Sequence, residues 1–289
     1  MPLSAAEPEI PAVFITGVST GIGNAAACLL ASGGFRVFGG VRTNADADAV
    51  RVAAGERFVP VLLDITDVAR IDAASRQVAT ALDGKPLRAL INNAGVAGGG
   101  PLAEQPLSQI RQIFDINFFG TLAVTQSFLP LLHPSADGAT SLVINVGSVA
   151  GRIAAPFLGA YAASKHALEG ASDSLRRELH GTGTKVVVVE PGYVDTPIFD
   201  KAARLDASAY ADSPYRERME RFQRTFIATG RKGMEPLRVA RLLRRILLMR
   251  NPRARYAIMQ RRLTEWWLPN LLSDRWLDGA IRTLERGVG

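Results

Sequence analysis

The chain has 289 residues with 47% hydrophobic and 21% charged side chains, enough to bury one large core, and its composition excludes a disordered or collagen-like protein. Cys28 is the single cysteine, which excludes an intrachain disulfide and a thiol-rich metal centre, so no metal site is predicted. The N-terminus has no basic start followed by an apolar run, and no stretch of 18 apolar residues occurs, which predicts a cytoplasmic protein.

Strands and helices are predicted to alternate along most of the chain. After a polar tail over residues 1–11, an apolar run at 12–15 leads into a glycine-rich turn at 16–23 and a helical stretch to residue 31. Further strands are predicted near 35–41, 58–63, 87–91, 140–146 and 185–189, with helical spacing at 66–82, 107–132 and 158–180. This alternation predicts one α/β domain over residues 12–289, with a parallel sheet covered on both faces.

The C-terminal third departs from this rhythm. Residues 198–235 are charge-dense without strong periodicity, which is typical of a substrate lid, and a helix beginning near Pro236 opens a predicted helical extension over 236–289. The net charge of +7 is uneven: residues 1–200 carry 14 basic and 18 acidic side chains, whereas 201–289 carry 20 basic and 9 acidic.

The basic extension also contains Trp266, Trp267 and Trp276 among several leucines. We favour packing of these apolar residues over the substrate mouth or against a second subunit; peripheral contact with an anionic membrane is the less favoured alternative. No helix-turn-helix or zinc pattern accompanies the charge, so no nucleic-acid partner is predicted.

The glycine-rich turn predicts a site for a dinucleotide. A helix N-terminus presents unpaired N–H groups to phosphate, and Gly17, Gly21 and Gly23 permit close approach of the backbone; a tight turn without a ligand is the alternative. An acidic residue after the second strand would favour NAD(H). Val41 and Arg42 stand there instead, which favours NADP(H), with NAD(H) as the alternative if Arg42 is only a solvated charge.

A second set of residues predicts acid–base chemistry. Tyr161 and Lys165 are four residues apart in a helical stretch, so they share a face, and an ammonium group beside a phenol lowers the pKa of the phenol. Ser148 follows the apolar run 142–146, at the carboxyl end of a strand, where parallel sheets place their ligands.

Together these features resemble the short-chain dehydrogenase/reductase family. The matching segments, in family order over about residues 12–197, are Thr16 to Gly23, Asp64, Asn92 to Gly95, Asn117, Ser148, Tyr161 to Lys165, and Pro191 with Gly192. The resemblance implies a Rossmann-type doubly wound sheet of about seven strands, a nicotinamide cofactor, assembly as a homodimer or homotetramer, and a catalytic set of Asn117, Ser148, Tyr161 and Lys165.

The resemblance also implies a role for each of these side chains. Tyr161 gives or takes the proton at the substrate oxygen, Lys165 lowers its pKa and holds the nicotinamide ribose, Ser148 hydrogen-bonds the carbonyl, and Asn117 holds a water that relays protons. The implied cofactor-binding residues are Gly17, Ser19, Thr20, Gly21, Ile22, Gly23, Arg42, Asp64, Ile65, Asn92, Ala94, Gly95, Tyr161, Lys165, Pro191, Gly192, Val194 and Thr196.

The predicted substrate cleft is mostly apolar. Its contacts are Ser148, Val149, Ile153, Phe157, Tyr161 and Tyr193, with Arg152 as a nearby charge. A weaker resemblance to the branch of retinol and 17β-hydroxysteroid dehydrogenases implies a bulky apolar alcohol or ketone. A 3-oxoacyl-thioester reductase using NADPH is the alternative, and a non-catalytic sensor of nicotinamide cofactor is the alternative from another class.

Overall fold

The structure is a computed structural model that describes residues 10–134, 140–203, 210–261, 266 and 271–286. Residues 1–9 of the predicted tail and Trp267 lie outside the described residues. The strands are β1 (Ala12–Thr16), β2 (Arg36–Val41), β3 (Phe58–Leu62), β4 (Leu87–Asn92), β5 (Ser141–Val146), β6 (Thr184–Pro191) and β7 (Arg255–Ile258). The α-helices are α1 (Gly21–Ser32), α2 (Asn44–Ala54), α3 (Val68–Leu82), α4 (Leu107–Phe114), α5 (Thr121–Phe128), α6 (Gly159–Glu178), α7 (Ile198–Ala203), α8 (Arg216–Arg231), α9 (Pro236–Leu247) and α10 (Asp274–Arg286).

The seven strands form one parallel sheet in the order β3-β2-β1-β4-β5-β6-β7, which confirms the predicted doubly wound fold. Phe14 on the central β1 lies opposite Phe38 on one side and Leu90 on the other. The chain builds outward from β1 through β3 and then returns to add β4 on the opposite side. Such a reversal opens a crevice at the carboxyl ends of the central strands, where this class of sheet binds ligands.

Each face of the sheet is covered by its own apolar core. On one face, α1 and α9 pack against the sheet and each other, and Leu30 and Leu243 are fully buried between them. On the other face, α3 and α5 bury Ile71 and Phe128, whose ring centroid lies 4.2 Å from that of Phe14. Because both faces are covered, the strands are the near-continuous apolar runs visible in the sequence.

The helix predicted over 107–132 is divided in the structure. A π-helical segment, Asp115–Gly120, joins α4 to α5, and a short 3-10 turn, Leu129–Leu131, ends the stretch. A π-helical turn holds one residue more than an α-helical turn, and such turns are frequent at functional sites. Asn117 lies at the centre of this one.

Helix α2 and the C-terminal third differ further from the prediction. No helix was predicted between the second and third strands, but Thr43 caps α2 by accepting a hydrogen bond from the Asp46 N–H at 3.1 Å. The predicted lid contains the 16-residue helix α8. The predicted helical extension contributes β7, the edge strand of the sheet, between α9 and α10. Within the described ranges, no helix is long and apolar enough to span a membrane.

Candidate active site

A large cavity opens at the carboxyl ends of the strands. Its volume is about 1460 Å³, and it extends from the glycine-rich turn after β1 to α8 in the predicted lid and α10 in the C-terminal extension. The predicted residues on its wall are Gly17, Ser19, Thr20, Gly21, Ile22, Arg42, Asp64, Ile65, Ala94, Gly95, Ser148, Val149, Ile153, Tyr161, Lys165, Pro191, Gly192, Tyr193, Val194 and Thr196. The topology therefore brings most of the residues singled out in the sequence to one site.

The glycine-rich turn is shaped for close backbone approach. Gly17 has a φ of +69°, and a Cβ there would lie 2.9 Å from the Ala94 Cα; a Cβ on Gly23 would lie 2.2 Å from the Gly17 carbonyl oxygen. The N-cap residue of α1, Thr20, makes no side-chain capping bond. The first turn of α1 therefore presents backbone donors to the cavity, the chemistry that a cofactor pyrophosphate requires.

Arg42, the residue predicted to select the cofactor, directly follows β2. Val41 is buried, whereas Arg42 is exposed on the cavity wall. Asp64, which follows the adjacent strand β3 and also lines the cavity, accepts hydrogen bonds from the Thr66 N–H at 2.9 Å and hydroxyl at 2.7 Å. These two bonds, with a smaller contribution from the positive charge of Arg42, lower the pKa of Asp64.

Ser148, which follows the end of β5, meets Tyr161 and Lys165 from the first two turns of α6. Ser148 Oγ accepts a hydrogen bond from the Ala150 N–H at 3.1 Å, which leaves the hydroxyl hydrogen for the Tyr161 oxygen. Lys165 Nζ lies 6.0 Å from the centre of the Tyr161 ring and donates to the Val146 carbonyl at 3.1 Å. The ammonium group is thus fixed on the strand that leads to Ser148.

Burial dominates the electrostatics of this trio. It raises the pKa of Tyr161, which the hydrogen bond from Ser148 opposes, and it lowers the pKa of Lys165 to about 8, which the negative charge of Glu169 opposes. The sequence predicts a lowered pKa for Tyr161, whereas in the structure the pKa is raised, because loss of hydration outweighs the hydrogen bond from Ser148. A phenol that keeps its proton is the form that donates to a carbonyl oxygen.

Three of the predicted cofactor-binding and catalytic residues do not line the cavity but support the segments around it. Asn117 is fully buried and exchanges 2.9 Å hydrogen bonds with the backbone N–H and carbonyl of Val96, and its amide also donates to Ser164 Oγ. Asn92 donates to Asn145 and Thr125 inside the core. The third, Gly23, packs beneath the glycine-rich turn.

Asn93, which was not predicted, lines the cavity in place of Asn92. Its amide donates to the carbonyl oxygens of Thr16 and Gly17 at 3.0 Å. Since successive strand residues point to opposite faces, the residue after the end of β4 reaches the cavity and the last strand residue does not.

The substrate half of the cavity is bounded by aromatic rings. Tyr193 lies 5.8 Å from Phe226, which contacts Phe199 at 5.2 Å and stacks on Phe222 at 5.7 Å between ring centroids. Phe157 does not line the cavity; with a φ of +61°, it packs behind Phe222. Wall residues that the sequence does not predict include Phe199, Phe222 and Phe226, whereas Leu272, Leu277 and Ile281 belong to the extension whose apolar residues are expected to pack over the substrate mouth.

Arg152 is not on the cavity wall. Its Nε donates to Glu190 Oε1 at 3.0 Å, and its Nη2 lies 3.6 Å from Glu169 Oε2. The charge that the sequence places near the substrate cleft therefore belongs to an ion cluster with Glu169 and Glu190.

The chain is similar to known proteins over most of its length. The family model of short chain dehydrogenases matches residues 11–206. An NADPH-dependent 3-dehydrocapnine reductase from Ornithobacterium rhinotracheale is 34% identical over 265 residues, or 91% of this chain and 93% of that protein. Retinol dehydrogenase 5 from Mus musculus is 36% identical over 85% of this chain and 79% of its own. The structure of a short chain dehydrogenase/reductase from Burkholderia phymatum in complex with NAD has a TM-score of 0.71 at 25% identity, covering 86% of this chain and 89% of that chain.

Proposed function

This chain belongs to the short-chain dehydrogenase/reductase family, and on that premise we propose that it interconverts a bulky apolar secondary alcohol and its carbonyl compound with NADP(H). The family membership, with relatives in the retinol dehydrogenase branch, makes it an NAD(P)-dependent oxidoreductase. The substrate class, the preference for NADP(H), the cytoplasmic location and assembly as a homodimer or homotetramer are our proposals.

The residues of the cofactor half fit a phosphorylated dinucleotide. The glycine-rich turn would hold the pyrophosphate, and Arg42 would pair with a 2′-phosphate that an acidic residue at Val41 would repel. The name of the relative that uses NADPH supports this preference, whereas the Burkholderia neighbour binds NAD. When bound, the cofactor supplies the hydride that is exchanged with the substrate carbon.

Tyr161 is the proposed general acid in the reductive direction. Because burial raises its pKa, the phenol keeps its proton until a carbonyl oxygen approaches, and Ser148 then donates a hydrogen bond to the developing alkoxide. The positive charge of Lys165 stabilises the phenolate that remains, and Asn117 holds the loop beside Lys165 through its bonds to Val96. In the oxidative direction the same groups take the proton back.

The observation that carries the proposal is the meeting of Ser148, Tyr161 and Lys165 on the wall of an apolar cavity. The cluster of aromatic rings formed by Tyr193, Phe199 and Phe226 favours a steroid- or retinoid-like body over a small polar one, because apolar contact is the interaction they offer.

The test is consumption of NADPH and of NADH over a panel of steroid, retinoid, aliphatic and acyl-thioester carbonyl compounds. In the Tyr161→Phe variant we expect kcat to fall by about 10²-fold or more, with NADPH affinity changed by less than about threefold. Tyr215→Phe, which removes a phenol outside the cavity wall, is the matched control and should keep full activity.

Turnover of acyl thioesters alone would replace the proposed substrate class with a 3-oxoacyl-thioester reductase. Turnover that survives in the Tyr161→Phe variant would remove Tyr161 from its proposed role. Binding of cofactor without turnover of any carbonyl compound would favour a sensor over an enzyme.

A further inference from the structure

Four charged side chains form a cluster directly behind the turn that begins at Ser148. Arg255 on β7 donates to Glu169 Oε2 on α6 at 3.0 Å, and its Nε lies 3.8 Å from Glu190 Oε1 on β6. Arg152, which follows the turn, binds Glu190 and approaches Glu169 from the other side. The two carboxylates are 5% and 1% exposed, whereas the side chains of Arg152 and Arg255 are 35% and 26% exposed, so two buried negative charges are covered by two arginines that reach the surface.

The carboxylate of Glu169 supports the Ser148 turn by contact. Gly147 and Gly151 flank the catalytic serine, and a Cβ on Gly147 would lie 3.1 Å from Glu169 Oε1. A Cβ on Gly151 would lie 3.2 Å from Glu169 Cγ. The side chain of Glu169 therefore fills the space under both ends of the turn. Without it, the turn would lose this packing contact.

The hydrogen bonding of the two carboxylates is incomplete. Glu169 Oε1 and Glu190 Oε2 are buried, and neither has a hydrogen-bond partner among the described residues. Buried carboxylate oxygens are otherwise nearly always paired, so a proton held on Glu169 over part of the pH range relieves the repulsion between the two groups. Burial and the negative charge of Glu190 raise the pKa of Glu169 to about 7.

Glu169 is also one helical turn beyond Lys165. Its negative charge works against the loss of hydration that lowers the pKa of Lys165. The charged groups that face Glu169 are Lys165 and Asp173 from α6, Glu190 from β6, Arg152 from the turn and Arg255 from β7.

We propose that Glu169 is a positioning residue of the reaction: held between Arg152 and Arg255, it supports the Ser148 turn and keeps Lys165 charged. The role in turnover rests on the proposed function, whereas the effect on Lys165 is visible in cofactor binding alone. The negative charge of ionised Glu169 raises the pKa of Lys165, and protonation of Glu169 removes this effect.

The experiment is the pH dependence of NADPH affinity, measured by fluorescence from pH 6 to 9.5, for wild type, Glu169→Gln and the control Glu178→Gln. Glu178 is exposed on the same helix, and its carboxylate accepts a hydrogen bond from Ser174 Oγ at 2.7 Å. In Glu169→Gln we expect the loss of affinity at high pH to begin about one pH unit lower, and kcat to fall about tenfold with a smaller change in KM. Glu169→Asp, which keeps the charge, should restore the wild-type pH profile.

Glu190→Gln provides an independent test, including the case in which Glu169→Gln does not fold. It removes the charge that opposes ionisation of Glu169, so the loss of affinity that accompanies protonation of Glu169 should move to lower pH. Superimposable pH profiles for wild type, Glu169→Gln and Glu190→Gln, at equal thermal stability, would overturn the proposal. If no carbonyl compound is turned over but the profiles shift as expected, the proposed function fails and the effect on Lys165 stands.

Discussion

The close packing beneath the glycine-rich turn predicts opposite effects for one chemical change at two sites. Gly23 in α1 and Gly170 in α6 both lie in helices, where alanine is favoured over glycine by up to about 1 kcal/mol. A Cβ at Gly170 meets nothing within 4 Å, whereas a Cβ at Gly23 would lie 2.2 Å from the Gly17 oxygen and 2.4 Å from the Asn93 amide nitrogen. Only the surroundings of Gly23 must shift to accept a methyl group.

We expect Gly170→Ala to raise the free energy of unfolding by about 0.5–1 kcal/mol, or about 2 °C in Tm. Gly23→Ala should lower it by about 1–3 kcal/mol through strain, and should weaken NADPH binding at least tenfold because the turn is displaced. Thermal unfolding and a fluorescence titration with NADPH measure both effects. Wild-type stability and affinity in Gly23→Ala would refute the packing argument.

Three further predictions concern the cofactor, the substrate and the core. Arg42→Glu should weaken NADPH binding by about 10–100-fold and leave NADH binding within about threefold, with exposed Arg57→Glu as the control; equal losses for both cofactors would contradict the role of Arg42. Phe226→Ala should raise KM for a bulky apolar ketone about tenfold at unchanged NADPH affinity, and an unchanged KM would show that the ring does not contact substrate. Leu243→Ala should lower the free energy of unfolding by about 2–5 kcal/mol in urea denaturation, and a loss below about 1 kcal/mol would contradict its burial between α1 and α9.

The parts of the fold and site that the sequence predicts are those where physics permits few residue types. A strand buried on both faces must be apolar throughout, so the run at 186–189 is recognisable as β6. Proton transfer from a positioned phenol requires a particular residue at a particular spacing, so Tyr161 and Lys165 are recognisable as a pair.

The lid helix α8 escapes prediction because its inner face borders a cavity. Phe222 and Phe226 are four residues apart, but both are half-buried, and the rest of the helix is rich in arginine and glutamate. A helix that covers a cavity needs only a short apolar stripe. In a segment rich in charged residues, such a stripe is too short to be recognised from the sequence.

Strand β7 escapes prediction for a different reason. It has only four residues and lies at the edge of the sheet, and its first residue, Arg255, enters the ion cluster beside Glu169. A short edge strand with a charged residue lacks the apolar run that identifies the other strands.

The cavity has two walls that come from separate parts of the chain. The groups proposed to move protons precede residue 166, whereas the apolar wall formed by α8 and α10 follows residue 215. Substitutions in the second wall can therefore accumulate without disturbing the first, so that a lineage acquires a new substrate while its chemistry stays fixed. For the engineer, exchanging residues 216–231 and 274–286 between relatives, with α9 and β7 left in place, is the direct route to altered specificity.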